Sequence, residues 1–223
     1  ADGFDAWHAA RKAVNPKAMR NIATRLRRLE EVEGGYSFVM ADYRPEVFEA
    51  MVRLKRDQYR RTGAFDVFSV GWTGRLLQAI LKRQSDHFSG VCSSLCVGDE
   101  IVAVHVGMAS DRLCHYWFPA YESDHNRLSP GALLLVEMAR TAAAMGHLGV
   151  ELGPGDYAFK KDLASSQTGL VCGRFTTNSL RGRLVRSSEG FAEACSKAPV
   201  GAVGGLPAKG RRKLGRLTGF MAL

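Results

Sequence analysis

The chain has 223 residues, of which 46% are hydrophobic and 24% are charged. This composition is ordinary for a globular protein and excludes a disordered chain, a collagen-like repeat and a small disulfide-stapled scaffold. A chain of this size fits one large domain or two small ones. Charged residues interrupt the apolar stretches well before the ~18 residues that a membrane-spanning helix needs, so none is predicted.

The net charge of +9 is carried by the two ends of the chain. Residues 1–28 contain 7 basic and 2 acidic side chains and residues 174–223 contain 10 and 2, whereas residues 29–173 contain 14 and 18. A mildly acidic body with basic ends is typical of a catalytic or binding body whose tails contact nucleic acid, a membrane surface or a phosphorylated substrate. A solvated tail without a partner is the alternative.

The five cysteines are odd in number and lack the Cys-x-x-Cys or histidine spacing of a zinc site. We therefore predict buried free thiols, a reducing compartment and no metal. Because the chain begins at Ala1 without an initiator methionine or the apolar core of a signal peptide, we expect it to be part of a longer protein. The cysteines are Cys92, Cys96, Cys114, Cys172 and Cys195.

The first part of the chain is predicted to be mostly helical. Asn15 followed by Pro16 is typical of a helix cap and first turn, and apolar residues at helical spacing then predict an amphipathic helix that ends before Gly34. Further predictions are a strand at residues 36–40 and helices at residues 45–61 and 73–85. The inward side chains of the last helix are predicted to be Leu76, Leu77, Ile80 and Leu81.

Alternating apolar and polar residues then predict an antiparallel meander. Its strands are expected at residues 91–97, 101–109 and 113–118, separated by turn signals. If Ser110 and Asp111 form a two-residue turn, His105 lies opposite Tyr116. One face of the middle strand, occupied by valines, is predicted to be core.

The second half alternates between helices and strands. We predict helices at residues 131–145, 156–163 and 189–197, strands at residues 148–152 and 169–176, and a basic glycine-rich tail at residues 199–223. This order predicts an α/β fold with a mixed, mostly antiparallel central sheet flanked by helices. The expected organisation is an N-terminal helical segment at 1–35, a main domain at 36–198 and the tail.

The start of the helix at residue 131 is a candidate anion site. Ser129 is placed to cap the helix, Pro130 occupies its first position and Gly131 leaves room for a ligand. The amides of Gly131, Ala132 and Leu133 are expected to point outward at the positive end of the helix dipole, which suits a pyrophosphate. Many helices begin in this way and bind nothing.

Several motifs carry a resemblance to a known family. Residues 101–160 contain AVHVGM, YWFPAY, SPGALLL and GDYAFK, and earlier segments read RLRRLE and KRDQYRR. Together, over residues 15–175, they resemble GNAT-type acyltransferases of the CelD family, associated with cellulose and exopolysaccharide biosynthesis. The resemblance implies a cytoplasmic bacterial enzyme of the GNAT fold. It implies acyl-CoA as donor, and as acceptor an amine or hydroxyl on a cell-envelope saccharide or lipid-linked precursor.

The resemblance also implies which residues bind the donor. The pyrophosphate loop of GNAT enzymes reads (Gln or Arg)-x-x-Gly-x-(Gly or Ala), which places Asn126, Ser129 and Gly131 at its three marked positions. Two of the three depart from the pattern. Fem-type aminoacyltransferases, which use the same fold with aminoacyl-tRNA as donor, are therefore an alternative.

Acyl transfer needs a base and groups that stabilise developing charge. Glu151 lies at the end of the strand predicted at residues 148–152, where the family usually has Asp. Either Glu151 or Asp156 is a candidate to act as the base or to orient the acceptor. Lys160 is a candidate cation for a phosphate, a carboxylate or developing charge. His105 and Tyr116 are a candidate proton-handling pair. Structural roles remain alternatives for all five, and His115 is interpreted as structural.

Three competing interpretations remain. Residues 153–158 match the dinucleotide fingerprint G-x-G-x-x-A, but no acidic residue lies at 163–188 to bind a ribose. A module that binds nucleic acid or anionic membrane through its tail would use Lys209, Arg211, Arg212, Lys213 and Arg216. A GNAT scaffold without catalysis, in a polysaccharide assembly, is the third.

Overall fold

A computed structural model describes residues 3–123, 129–155 and 157–171, together with residues 179, 183 and 187. Contacts divide the chain into two compact units, residues 1–167 and residues 168–223. The predicted helix at 189–197 and the tail lie outside the described residues. The predicted strand at 169–176 is wrong for residues 169–171, which are in no strand, and its remainder lies outside the described residues.

The described part of the first unit contains six α-helices, six strands and a short 3-10 turn at Val67–Ser69. The helices are α1 (Gly3–Val14), α2 (Pro16–Glu30), α3 (Pro45–Thr62), α4 (Gly71–Lys82), α5 (Pro130–Ala144) and α6 (Ala158–Leu163). The strands are β1 (Tyr36–Val39), β2 (Gln84–Ser85), β3 (Phe88–Val97), β4 (Glu100–Ala109), β5 (Leu113–Tyr121) and β6 (Gly149–Glu151).

The strands form one mixed sheet in the order β1-β3-β4-β5-β6, with β2 beside β3. Every described pairing is antiparallel except that of β5 with β6, which is parallel. The predicted mixed, mostly antiparallel sheet flanked by helices is therefore confirmed. β6 pairs only with the first three residues of β5, from Leu113 to His115.

Helices cover both faces of the sheet and bury two apolar clusters. α3 and α4 pack over one face, where Val47, Met51 and Leu77 meet Val104 and Val106 of β4. α5, with α1 and α2 beside it, packs over the other face. The fully buried residues of this second cluster include Leu29, Leu95, Leu133, Leu134 and Met138.

Local signals fix the ends of two helices as predicted. The side chain of Asn15 accepts a hydrogen bond from the amide of Ala18 at 3.1 Å, and Pro16 occupies the first helical position. Gly63 follows α3 with φ of 63°, a left-handed conformation that glycine adopts without strain. In α4, however, Leu76 is 42% exposed, so its predicted inward position is wrong.

Helix α1 lies within the segment 1–35 that was expected to be helical, and both apolar and polar contacts hold it. Phe4 and Trp7 pack against the second apolar cluster. The Trp7 indole donates to the carbonyl of Leu163 at 3.2 Å, and Arg11, only 8% exposed, donates through Nε to the carbonyl of Asp162 at 3.1 Å. These donors satisfy carbonyls at the last turn of α6, which have no partner within their own helix. Helix α1 therefore stabilises the C-terminal end of α6.

The predicted pairing of His105 with Tyr116 is wrong, because the β4–β5 turn lies one residue later than predicted and the ladder contains a bulge. Ala109 pairs with Cys114, which moves the pairing by two residues, and the bulge moves it by one more. His105 pairs with Pro119, and the register shifts between Val106 and Met108. A β-bulge places one extra residue on one strand, which moves every later pair. The rings of His105 and Tyr116 nevertheless stack, with centroids 5.0 Å apart and planes 11° apart.

Gly107 marks this bulge because no side chain fits there. A Cβ atom at Gly107 would lie 2.2 Å from the carbonyl oxygen of His115 and 2.5 Å from Nε2 of His105. The backbone oxygen cannot move without disturbing the ladder. The bulge therefore depends on glycine at this position.

We expect Gly107→Ala to lower the free energy of unfolding by at least about 2 kcal/mol, because the added methyl group overpacks the bulge. Urea denaturation measures the change. Gly74→Ala is the matched control, since nothing lies within 4 Å of its added Cβ in helix α4. The control should be neutral or stabilise by up to about 1 kcal/mol. Equal stability of the two variants would contradict a close-packed bulge.

Candidate active site

The pairing of β5 with β6 ends partway along β5. β6 ends at Glu151, opposite His115, whereas β5 continues for six more residues to Tyr121. Over those six residues, no described strand pairs with the β6-facing edge of β5. We call this the open edge of β5.

Hydrogen-bond alternation shows which backbone groups face the open edge. The amide of Glu122 donates to the carbonyl of Val102 at 2.9 Å, so alternate residues of β5 point toward β4. By this alternation, the backbone carbonyls of Pro119 and Tyr121 point away from β4. Proline is tolerated at residue 119 because its missing N–H removes no bond to β4.

The first turn of α5 lies against the end of β5. Gly131 is in close contact with Tyr121, since a Cβ at Gly131 would lie 2.7 Å from Cδ1 of that ring. The phenol of Tyr116 donates to the carbonyl of Gly131 at 3.3 Å. The absence of a side chain at Gly131 therefore allows α5 and β5 to lie close together.

Two details of the predicted anion site are wrong. Ser129 adopts a left-handed conformation, with φ of 50°, and makes no side-chain capping bond. The amides of Ala132 and Leu133 do not point outward, because both donate to the carbonyl of Ser129, at 3.0 and 3.3 Å. Of the three predicted donors, only the amide of Gly131 remains a candidate for an anion. Asn126 lies outside the described residues.

Burial holds His105 and Tyr116 in their neutral forms. His105 is 0% exposed and Tyr116 is 5% exposed. Desolvation lowers the pKa of His105 to about 3 and raises the pKa of Tyr116 above its usual value. Nδ1 of His105 is buried and has no partner among the described residues, and the carbonyl of His115, 3.1 Å from Nε2, only partly opposes the effect of desolvation. The pair lies beneath the start of α5.

Glu151 and His115 meet where the two strands separate. Oε2 of Glu151 lies 3.6 Å from Nε2 of His115, and the two residues are Cα partners in the ladder. Their side chains are 54% and 28% exposed. The structural interpretation of His115 missed this proximity, because sequence periodicity does not set the register between strands more than 30 residues apart.

Lys160 binds the loop that follows β6. Its ammonium donates to the carbonyls of Gly153 and Pro154, each at 2.8 Å, and lies 5.2 Å from the ring centre of Tyr157. Desolvation lowers the pKa of Lys160, and the negative charge of Glu151 opposes that shift. Lys160 therefore holds the loop beside Glu151. Asp156, the other candidate base, lies outside the described residues.

A lysine that the sequence did not single out reaches the open edge. Lys55 of α3 donates through Nζ to the carbonyl of Pro119 at 2.8 Å. Burial lowers the pKa of Lys55 to about 8. In the sequence, the segment KRDQYRR that contains Lys55 contributes only to the family resemblance. The position of Lys55 at the open edge follows from the packing of α3 on β5.

An open groove of about 650 Å³ lies along α3 near the same end of the sheet. Its lining combines apolar side chains, among them Phe48 and Val52, with charged ones. Arg53 of this lining pairs with Glu122, just beyond β5, at 2.7 Å. Ion pairs therefore line the groove, and one of them joins its lining to the residue that follows β5.

No three or more His, Cys, Asp or Glu side chains of the described residues are grouped to hold a metal. No helix there combines the length and hydrophobicity of a membrane span. Cys92, Cys96 and Cys114 are buried and free, as predicted, whereas Cys172 and Cys195 lie outside the described residues.

The model of the Acetyltransferase (GNAT) domain matches residues 16–161, well over half of the chain. The chain belongs to the GNAT family. The GNAT domain runs from the start of α2 into α6, so it includes the open edge of β5, the start of α5 and the Glu151–His115 pair. The protein is thus an acyltransferase of a family whose typical donor is acyl-CoA. No curated protein matches the chain.

The buried imidazole of this GNAT domain gives a pH prediction. Because the folded-state pKa of His105 lies below its unfolded value of 6.5, the unfolded chain binds more protons in acid. The contribution of His105 to the free energy of unfolding is therefore fully present above pH 6.5. It falls by about 1.4 kcal/mol per pH unit between pH 6.5 and 3.

His105→Gln should reduce the slope of unfolding free energy against pH by that amount, as measured by urea denaturation between pH 7 and 4. His87→Gln, at an exposed position, is the control and should leave the slope unchanged. A His105→Gln slope equal to that of the wild type would contradict a neutral buried imidazole.

Proposed function

We propose that the protein transfers an acetyl or longer acyl group from acyl-CoA to an amine or hydroxyl of a cell-envelope saccharide or lipid-linked precursor. The observation that carries the proposal is the divergence of β5 and β6 beside the start of α5, with Glu151 and His115 where the strands separate. This arrangement provides a strand edge, a helix N-terminus and an acid–base pair within one GNAT domain.

The open edge of β5 fits an extended donor that carries amides. The arm of CoA between nucleotide and thiol contains two amide groups, and an extended amide chain can bind an unpaired strand edge through main-chain hydrogen bonds. The pyrophosphate would then lie at the start of α5, within the segment of Asn126, Ser129 and Gly131. Ala132 and Leu133 would contribute through the helix dipole, because their own amides are occupied.

Glu151 and His115 are suited to the proton transfer. An acceptor amine or hydroxyl must lose a proton as it attacks, and an exposed carboxylate or neutral imidazole can accept it. At 3.6 Å, Glu151 can orient the imidazole or act through it. Lys160 positions the loop beside them. We assign His105 and Tyr116 a supporting role beneath α5, and keep Asp156 as the alternative base.

The acceptor class rests on the CelD resemblance and on the groove along α3. Saccharides and their carriers offer hydroxyls, amines and phosphates, which the charged and apolar lining of this groove can bind. We also propose that the basic tail at 199–223 brings the enzyme to the inner face of an anionic membrane, where lipid-linked precursors lie. Domain boundaries at 35 and 198 remain part of the proposal.

One observation favours a second donor class. Because the amides of Ala132 and Leu133 are occupied, the start of α5 offers a pyrophosphate fewer donors than predicted. A Fem-like transferase that uses aminoacyl-tRNA needs no such site, and neither does a non-catalytic scaffold. Transfer assays with acyl-CoA and with aminoacyl-tRNA separate the three.

We expect the full chain to transfer radiolabelled acetyl groups from acetyl-CoA to hydroxylated or aminated oligosaccharides, and Glu151→Gln to lower kcat by about 10²–10⁴-fold, since it removes the proton acceptor. His115→Gln should cause a similar loss, and the double variant should lose little more than either single variant, because the two groups act as a unit.

Glu33→Gln, a charge-matched change at an exposed position in the segment before β1, is the control and should retain full activity. Full activity of both Glu151→Gln and His115→Gln would remove this pair from the mechanism. Absence of transfer from acetyl-CoA, with transfer from aminoacyl-tRNA, would replace the proposed donor.

A further inference from the structure

Lys55 lies where a bound acyl donor would pass. Its Nζ donates to the carbonyl of Pro119, a residue of β5 that points away from β4. The carbonyl therefore belongs to the open edge, and the amine of α3 lies beside the path along which an extended donor would bind. This step rests on the proposed function.

The hydrogen-bond pattern favours a neutral amine at Lys55. An ammonium carries three N–H donors, and Pro119 supplies the single hydrogen-bond acceptor found for it among the described residues. The Tyr59 ring, with its centre 5.9 Å from Nζ, adds a weak attraction for the cation. Desolvation lowers the pKa of Lys55 to about 8, so the Lys55 amine is neutral in about half of the molecules at pH 8.

Lys160, the other half-buried lysine of the described residues, differs from Lys55 in its hydrogen-bond acceptors and in the charge beside it. Lys160 donates to two carbonyls at 2.8 Å, and although desolvation lowers its pKa, the charge of Glu151 opposes that shift. Lys82, at the end of α4, and Lys161, in α6, are exposed. Among these lysines, Lys55 combines a desolvated amine with a position at the open edge.

We propose that Lys55 is acylated by the protein's own acyl-CoA donor, which gives the chain an acyl-lysine at the open edge of β5. The neutral Nζ attacks the thioester carbonyl, a C–N bond forms and the C–S bond breaks. The thiolate leaves and takes up the proton released from Nζ, so the products are an amide and the free thiol. No oxidant, reductant or metal is needed.

The product suits this environment better than the ammonium does. An acylated lysine is neutral, so the cost of burying its charge disappears. Its remaining amide N–H can still donate to the carbonyl of Pro119. The modified side chain would occupy space beside the open edge.

Peptide mass mapping of the full chain tests the proposal with acetyl-CoA as the probe. At pH 8, acetylation of Lys55 should proceed at least about tenfold faster than that of Lys82 or Lys161, because the Lys55 amine is desolvated and lies at the open edge of β5. The preference should disappear in denaturant. Lys55→Arg should abolish the fast reaction and Lys161→Arg, the matched control, should not.

Binding of acetyl-CoA, measured by calorimetry on the same preparations, separates this inference from the proposed function. Binding without preferential acetylation of Lys55 would overturn the inference and leave the donor site intact. Absence of binding would overturn both. Because mapping of the wild-type chain gives the rate ratio directly, the result does not depend on whether Lys55→Arg folds.

Discussion

The site depends on the separation of β5 from β6. The two strands pair only up to His115 and Glu151, after which β5 continues to Tyr121 along an open edge. Unpaired strand edges are normally covered or protected, because they bind other extended chains. Here Pro119 withholds its N–H and Lys55 binds its carbonyl, so the edge is partly occupied by the protein itself. A ligand must bind the groups that remain.

Contacts distant from this edge hold the surrounding elements in place. The bulge at Gly107 brings the ring of His105 against Tyr116, and the phenol of Tyr116 reaches the first turn of α5. Beyond the end of β6, Lys160 holds the following loop, and α1 caps the end of the helix that carries Lys160. Hydrogen bonds between distant segments therefore set the positions of α5 and of this loop.

Local chemistry made much of the fold predictable. Asn15 with Pro16 and the glycine at residue 63 specify helix ends through neighbours in the chain, and the period-2 pattern of β3 to β5 predicted the meander. The bulge, the β5–β6 register and the cap from α1 depend on contacts between distant segments, which no local pattern encodes. His105 was misaligned because the β4–β5 turn lies one residue later than predicted and because of the bulge, whereas His115 and Lys55 were not recognised because their partners are distant in the chain. Glu151 was singled out by its place at the end of a strand, and its role remains a prediction.

Calorimetric titration of acetyl-CoA into the full chain, at two salt concentrations, tests the central claim most directly. We predict binding that Gly131→Asp weakens by at least about tenfold, because a carboxylate at the helix start repels the pyrophosphate. Gly131→Ala, which brings the same Cβ against Tyr121 without a charge, is the matched control and should weaken binding less. Equal affinity of Gly131→Asp and Gly131→Ala, or no binding by the wild type, would contradict a donor site at the start of α5.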